Sequence, residues 1–183
     1  MISKNDAILF SGAASGAENE FGILAEQLGI DEVNFSFEGH EVARERGLRI
    51  LTHEEMKQGD FSLTYASKLM NRKFPETPTF RRILQSIWYQ INNGQEIFVI
   101  GKILEDKTVK GGTGWGAEFA KICNKPLYVF DQDENRWFKW NGENWITFNN
   151  PVITKSHFTG TGTRLLKDNG KKAISELYKR SFE

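Results

Sequence analysis

The stretch "VKGGTGWGAEFAKICNKPLYVFD", Val109 to Asp131, decides the fold. It packs Gly111, Gly112, Gly114 and Gly116, with one carboxylate, Glu118, into the turn between two apolar segments. Before it, "EIFVIG" (Glu96 to Gly101) is a continuous apolar run, the pattern of a parallel strand buried on both faces. After it, "PLYVF" (Pro126 to Phe130) is a second such run, and the residues from about Trp115 to Cys123 between them read as a helix. Strand, glycine turn, helix and strand make the unit from which open α/β sheets are built.

The same unit recurs at the start of the chain. "AILF" (Ala7 to Phe10) is closed by "SGAASGAE" (Ser11 to Glu18). Ala17, Phe21, Leu24, Ala25 and Leu28 then fall at helical spacing, Gly29 stops the helix, and "VNFSF" (Val33 to Phe37) follows as a strand. From Gly39 to Pro78 the chain is charged and less periodic; Thr52 with Glu55 forms a capping box and predicts short helices there. Between Thr79 and Asn93 the residues Phe80, Ile83, Leu84, Ile87, Trp88 and Ile91 form one apolar stripe, with Gly94 placed as a C-cap. Arg81, Arg82, Ser86 and Tyr89 lie off that stripe. "RWFKWNGENWITF" (Arg136 to Phe148) reads as a hairpin around Asn141-Gly142. The end, "HFTGTGTRLLKDNGKKAISELYKR", reads as extended chain, glycine turn and helix, with Leu166, Ala173, Ile174, Leu177 and Tyr178 facing inward. The expected architecture is one α/β domain over residues 1–183, a Rossmann-like, open, mostly parallel sheet flanked by helices. A small aromatic hairpin insertion occupies 131–150 and a terminal strand–turn–helix 151–183.

Composition narrows the function classes. A chain of 183 residues with 39% hydrophobic content holds one substantial core. Lys plus Arg and Asp plus Glu both number 24, so a polyanion is not expected as the main partner. The lone Cys123 excludes an internal disulfide and points to a reducing compartment. No signal-peptide run opens the chain and no apolar stretch is long enough for a bilayer, so a cytoplasmic protein without a membrane partner is expected. His40, His53 and His157 lack zinc-ligand spacing, and "DQDENRWFKWNG" fails as a calcium loop because Arg136 and Gly142 stand where glycine and glutamate are needed. Neither a metal nor a cofactor is expected.

The glycine turns share one context, an apolar strand followed by small residues and a helix. They are "SGAASGAE", "GGTGWGAE" (Gly111 to Glu118) and "TGTGTR" (Thr159 to Arg164). In an open α/β sheet such turns lie at the carboxyl ends of the strands, where ligands bind. Glycine admits a ligand close to the backbone, and free N–H groups at a helix start favour an anion. Singly, each turn is equally a sharp bend in a packed sheet. Together they propose a shared phosphate site: Ser11, Gly12, Ala13, Ser15, Gly16 and Glu18 from the first; Gly111, Gly112, Thr113, Gly114 and Trp115 from the second; Gly160, Gly162, Thr163 and Arg164 from the third. Glu38, His40 and Asp131 are candidates for ribose or base contacts, and an exposed loop glutamate or a satisfied loop histidine is the competing reading of the first two.

"GGTGWGAE" resembles the P-G-G-x-G-T-x-x-E loop of the "lonely guy" (LOG) phosphoribohydrolases, with Gly111, Gly112, Gly114 and Glu118 matching, Lys110 in place of proline and Trp115 in place of threonine. "ILFSGAASGAENEFGILAEQL" resembles the S-G-G-A-x-G-x-D turn of the DNA-processing protein A (DprA/Smf) family, and "FTGTGTRLLKDNGKKAI" resembles that family's first strand and G-S-R turn. Both families belong to the SLOG superfamily of Rossmann-like nucleotide binders. In DNA-processing protein A the G-S-R element comes first; here it comes last, so the chain resembles a circular permutant with its last strand inserted beside its first. The order "GGTGW", "VFDQ…W", "FxGxGTR" is also similar to a branch of uncharacterised SLOG-like proteins common among phages. There the resemblance implies an Arg-Asn pair before the Trp-Tyr-Gln of the long helix, where this chain has Ser86 and Ile87, and an acid after the final arginine, where it has Leu165.

The resemblance implies three functions. In the LOG enzymes the loop glutamate stabilises charge on ribose as an N-glycosidic bond breaks; Glu118 matches by position, and "MNRK" (Met70 to Lys73) makes Arg72 its candidate partner. The altered polar positions favour instead a binder of a nucleotide or nucleotide-derived molecule, ADP-ribose-like or cyclic, that sequesters or senses it without turnover, with Trp115 as a stacking surface for a base. The DNA-processing resemblance implies single-stranded DNA binding through Arg44, Arg46, Arg49, Arg72, Lys73, Arg81 and Arg82, which the interleaved acids and zero net charge oppose. A homo-oligomer is expected from the resemblance alone.

Overall fold

A computed structural model describes residues 2–183. Eight strands form one sheet: β1 (Ile8–Ser11), β2 (Asp31–Ser36), β3 (Leu48–Ile50), β4 (Glu96–Gly101), β5 (Leu127–Asp131), β6 (Arg136–Trp140), β7 (Trp145–Thr147) and β8 (His157–Gly162). The helices are α1 (Ala17–Leu28), α2 (His53–Lys57), α3 (Asp60–Leu69), α4 (Pro78–Asn93), α5 (Thr113–Ile122) and α6 (Asp168–Phe182). The strand order is β3-β2-β1-β8-β4-β5-β6-β7. Every pair from β3 to β5 is parallel, and the pairs β5–β6 and β6–β7 are antiparallel. The fold is therefore α/β and Rossmann-like, with the terminal strand β8 inserted between β1 and β4.

Period-two alternation assigns each face of the sheet. Along β4, Phe98 and Ile100 join Phe21, Phe158, Ile174 and Tyr178 under α1 and α6. Ile97 and Val99 point the other way, into a cluster with Leu63, Leu84, Ile91 and Trp115 under α3, α4 and α5. A further cluster on the side of α2 and α4 holds Phe10, Phe35, Phe37, Leu51, Met56 and Tyr89. Helix α4 thus buries more than the stripe its spacing shows: Ser86 and Tyr89, off the stripe, are buried, and the Tyr89 hydroxyl donates to the Glu55 carbonyl at 2.8 Å.

Local signals place most of the joints. The Thr52–Glu55 capping box forms with both of its hydrogen bonds, and Gly29 ends α1 in the left-handed conformation. Three details differ from the sequence reading. Gly94 caps α4 with extended angles (φ −74°, ψ 139°); glycine is needed there for space, because a Cβ would meet the Thr159 side chain. The hairpin turn spans Asn141 to Asn144, since Trp140 pairs with Trp145 and the Asn141 side chain accepts the Glu143 and Asn144 N–H groups at 3.0 and 2.8 Å. Strand β3 gives no sequence signal, because three residues are too few to show alternation.

Candidate functional site

Connections leave the centre of the sheet in opposite directions. From β1 the chain passes through α1 to β2 on one side, and from β4 through α5 to β5 on the other. Such a divergence opens a crevice at the carboxyl ends of the strands. A cavity of about 660 Å³ occupies it, bordered by Ala14 and Glu18 after β1, by Lys110 to Thr113 before α5, and by Gly162 to Arg164 after β8. The glycine turns of the sequence therefore border one cavity.

Backbone contacts fix the first and third turns to each other. The Ala17 N–H donates to the Thr163 carbonyl at 3.0 Å. Gly16 has φ +88°, and a Cβ on it would stand 2.5 Å from the Thr163 oxygen and 2.6 Å from the Arg164 Cα. Only glycine allows this approach. The Thr163 N–H in turn donates to the Ile100 carbonyl at 2.8 Å, tying the third turn to the end of β4.

Glu18 forms the floor. Its carboxylate accepts the Thr161 hydroxyl at 2.8 Å and the Ala14 N–H at 3.0 Å. Burial pushes its pKa above the ordinary carboxylate value, and those hydrogen bonds pull it back in part. Gln90 of α4, 1% exposed, turns its amide nitrogen toward Glu18 and leaves its Oε1 without a partner. His40 also borders the cavity: its Nδ1 lies 2.8 Å from the Ser36 hydroxyl, and its Nε2 is buried and unpartnered. Burial lowers the His40 pKa, and the Arg164 charge lowers it further.

The walls and mouth differ in character. Phe80, Ile83 and Ile87 of α4 make an apolar wall. Lys102, Lys110, Arg164 and Lys167 stand at the mouth. Asp133 takes up two of these charges, Lys102 at 2.8 Å and Lys167, and these two ammonium groups, Lys102 first, hold the Asp133 carboxyl down at about 2. Among the described residues, Lys110 and Arg164 make no ion pair. The mouth thus keeps two unneutralised cations facing an apolar slot with an acceptor-rich floor.

Several candidates from the sequence lie elsewhere. Trp115 is 3% exposed and packs on Phe74 with ring centroids 5.7 Å apart, so it offers no stacking face to the cavity. Glu118 pairs with Lys121 at 3.2 Å on the side of the hairpin, where Lys121 lies 4.0 Å from the Trp140 ring centroid. Arg72 braces the glycine loop from outside, donating to the Val109 carbonyl at 3.1 Å and the Thr108 hydroxyl at 2.7 Å. The Glu118–Arg72 pair proposed for catalysis therefore does not meet in the cavity. Ser11 is buried and donates to the Gly160 carbonyl at 2.7 Å; Gly160 itself lies inside β8 against Phe21. Asp131 is buried and accepts the Ile103 N–H at 2.7 Å, so it shapes the loop after β4 and contacts no ligand space. Glu38 and Ser15 are exposed away from the cavity lining. Gly12 lies behind the floor, where a Cβ would strike Gln90 and Glu18, while buried Ala13 and Gly114 shape their turns without lining the space.

The sequence reading missed the contribution of α4 to the site. Ser86, Ile87 and Leu165, three positions where the resemblance implied polar or charged residues of another kind, all border the cavity. Departure from an expected polar pattern was the available signal. Five of the seven basic residues considered for DNA are neutralised: Arg44 and Arg46 both pair with buried Glu32 at 2.6 and 2.8 Å, Arg49 with Glu55, Lys73 with Glu76 and Arg81 with Asp60, while Arg72 donates to the glycine loop and Arg82 makes no ion pair among the described residues.

No protein-family model matches the chain, and no curated protein matches it. Among solved structures it is similar to one from Syntrophus aciditrophicus SB named "Putative molybdenum carrier protein", at 15% identity and a TM-score of 0.54. The match covers 97% of this chain and 94% of the other. The likeness is one of fold. Among the described residues no helix is long and apolar enough to cross a membrane, and no cluster of His, Cys, Asp and Glu is grouped to hold a metal ion.

Proposed function

We propose that the cavity binds a nucleotide or nucleotide-derived small molecule, with its phosphate at Lys110 and Arg164, and that the protein holds this ligand without turning it over. The observation that carries the reading is the convergence of the glycine turns on one cavity whose mouth keeps two cations without protein counter-ions. Turns of this kind leave backbone N–H groups free for an anion, and the apolar α4 wall supplies a face for a ring. The SLOG-like motifs support the same ligand class, and the insertion of β8 between β1 and β4 fits a permuted SLOG order. The absence of Glu118 and Arg72 from the cavity lining favours holding over N-glycosidic cleavage.

The name of the structural neighbour speaks of carrying molybdenum. A molybdenum oxyanion would use the two cations and leave the wall of Phe80, Ile83 and Ile87 uncovered, so the wall favours a ligand with a ring. Exposed, unpaired Cys123 fits a reducing compartment, and we place the protein in the cytoplasm. Titration calorimetry with AMP, ADP-ribose and a cyclic dinucleotide tests the reading. At least one should bind, and Arg164→Ala or Lys110→Ala should each weaken it about tenfold or more, the value of a lost charge-assisted hydrogen bond. Failure of every phosphate compound to bind, or binding indifferent to both substitutions, rejects it. Release of free base from the bound nucleotide, abolished in Glu118→Gln, would replace it with a glycosidase.

A further inference from the structure

We propose that the outward face of α3 is a self-association surface, on which a second copy of this chain packs its own α3 antiparallel about a two-fold axis through Tyr65. The proposal stands apart from the ligand reading, because no α3 residue lines the cavity.

Helix α3 is apolar on two opposite sides. Leu63 and Ala66 lie buried among Leu84, Ile91 and Trp115. Phe61, Tyr65 and Leu69, each four residues from the next, form a second row on the other side and are 86%, 51% and 52% exposed. The remaining exposed large apolar residues, such as Ile50, Ile122 and Ile146, stand one to an element or loop. A continuous apolar row on a helix already packed on its opposite side marks a face that has a partner. With an aromatic ring burying about 150–250 Å², the row offers roughly 350 Å² in each copy. Two such rows, with Ser62, Thr64 and Lys68 beside them, approach the roughly 1,000 Å² that a specific interface needs.

Charge on the helix selects the occupant and its direction. Asp60 is turned inward to Arg81 and Gln85, at 2.6 and 2.7 Å, which leaves Lys68 as the single outward charge on α3. One lysine is too few for a nucleic acid or an anionic membrane, both of which are held by arrays of cations. The chain's net charge of zero sets no long-range repulsion between copies. Parallel helices would bring the two Lys68 ammonium groups side by side. The antiparallel pair draws them about 9 Å apart along the axis and opposes the helix dipoles. It also sets Phe61 of each copy against Leu69 of the other and brings the two Tyr65 rings together at the centre, an isologous contact that closes at two.

Light scattering after size exclusion, with the intact chain at tens of micromolar, tests the surface. The parent should show twice 21.0 kDa, and Tyr65→Asp, which sets two carboxylates on the axis, should show 21.0 kDa. Phe61→Asp and Leu69→Lys, each alone, should weaken association at least about tenfold, the loss of a central contact. An equimolar mixture of those two variants should recover the dimer, because the introduced acid of one meets the introduced lysine of the other only in the antiparallel register. That recovery also shows that both variants fold. A parent of 21.0 kDa at every concentration overturns the proposal, and so does a dimer indifferent to Tyr65→Asp. Failure of the mixture to recover, with both variants melting as the parent does, overturns the antiparallel pairing.

Discussion

Glu18 is the residue at which three distant parts of the chain meet. It opens α1, accepts the hydroxyl of Thr161 in β8, and faces the amide of Gln90 in α4. Burial raises its folded pKa above the ordinary value of 4.5, so the folded chain holds this proton more tightly than the unfolded chain. The sign of the linkage follows. The contribution is fully favourable below the unfolded value and is lost as pH rises through the raised folded value. A carboxylate kept in a site at that cost is more naturally explained by ligand than by stability. Glu18→Gln removes the charge and keeps the shape. Its melting temperature should match the parent's near pH 4 and exceed it at pH 8. Thermal melts across that range check the prediction; a variant less stable than the parent at pH 8 would show that the ionised carboxylate is a net structural asset.

At the scale of elements, the loop before α5 is held by a residue that no ligand touches. Arg72, at the end of the α3 segment, bonds the Val109 carbonyl, the Gly111 carbonyl at 3.3 Å and the Thr108 hydroxyl. Its removal frees Lys110 to Thr113 from one side. Arg72→Met should therefore weaken ligand binding about tenfold, since hydrogen bonds from a charged group are worth about 1.5–3 kcal/mol, although Arg72 lies outside the cavity. Glu118→Gln should leave affinity within about twofold, because surface and part-buried pairs like Glu118–Lys121 contribute little. Equal loss in both variants, measured by calorimetry, would return Glu118 to the site. The contrast also shows what the sequence made legible. Glycine turns and buried strands are local patterns, so β1, β4, β5, β8 and the joints after them could be read from spacing. Which side of a helix a residue takes is set by tertiary packing. Trp115 and Glu118 sit in the first turns of α5, next to the right loop, and lie away from the cavity, on the α3 and hairpin sides of that helix. Gln90 lies on a helix between two packing partners, and its role as part of the floor depends on Glu18, 72 positions earlier in the numbering. Periodicity records that α4 is buried; it cannot record against what.

For the molecule as a whole, equal numbers of acids and bases conceal an uneven distribution of unneutralised charge. Arg44 and Arg46 converge on Glu32, whose side chain is fully buried, and Asn34 donates to the same carboxylate at 2.8 Å. That network locks the segment after β2 to the sheet and withdraws two arginines from any outside partner. Arg49, Lys73 and Arg81 are likewise paired, and Asp133 takes Lys102 and Lys167 at the cavity mouth. Single-stranded nucleic acid needs a continuous cationic groove with exposed aromatic platforms. Here the exposed aromatics Phe61 and Tyr65 stand together on α3, a helix that also carries Asp60, while Trp115 and Trp137 are buried. A charge distribution that pairs Arg44, Arg46, Arg49, Lys73 and Arg81 with acids and leaves Lys110 and Arg164 unpaired at the cavity mouth suits a small anion inside one cavity better than a polymer laid across a surface. Fluorescence anisotropy with a short single-stranded oligonucleotide at about 50 mM salt, where counter-ion release most favours binding, should show none. An oligonucleotide complex that weakens steeply with salt and survives Arg164→Ala would require these ion pairs to open on contact, and would move the functional surface from the cavity to the outer face of α2–α4.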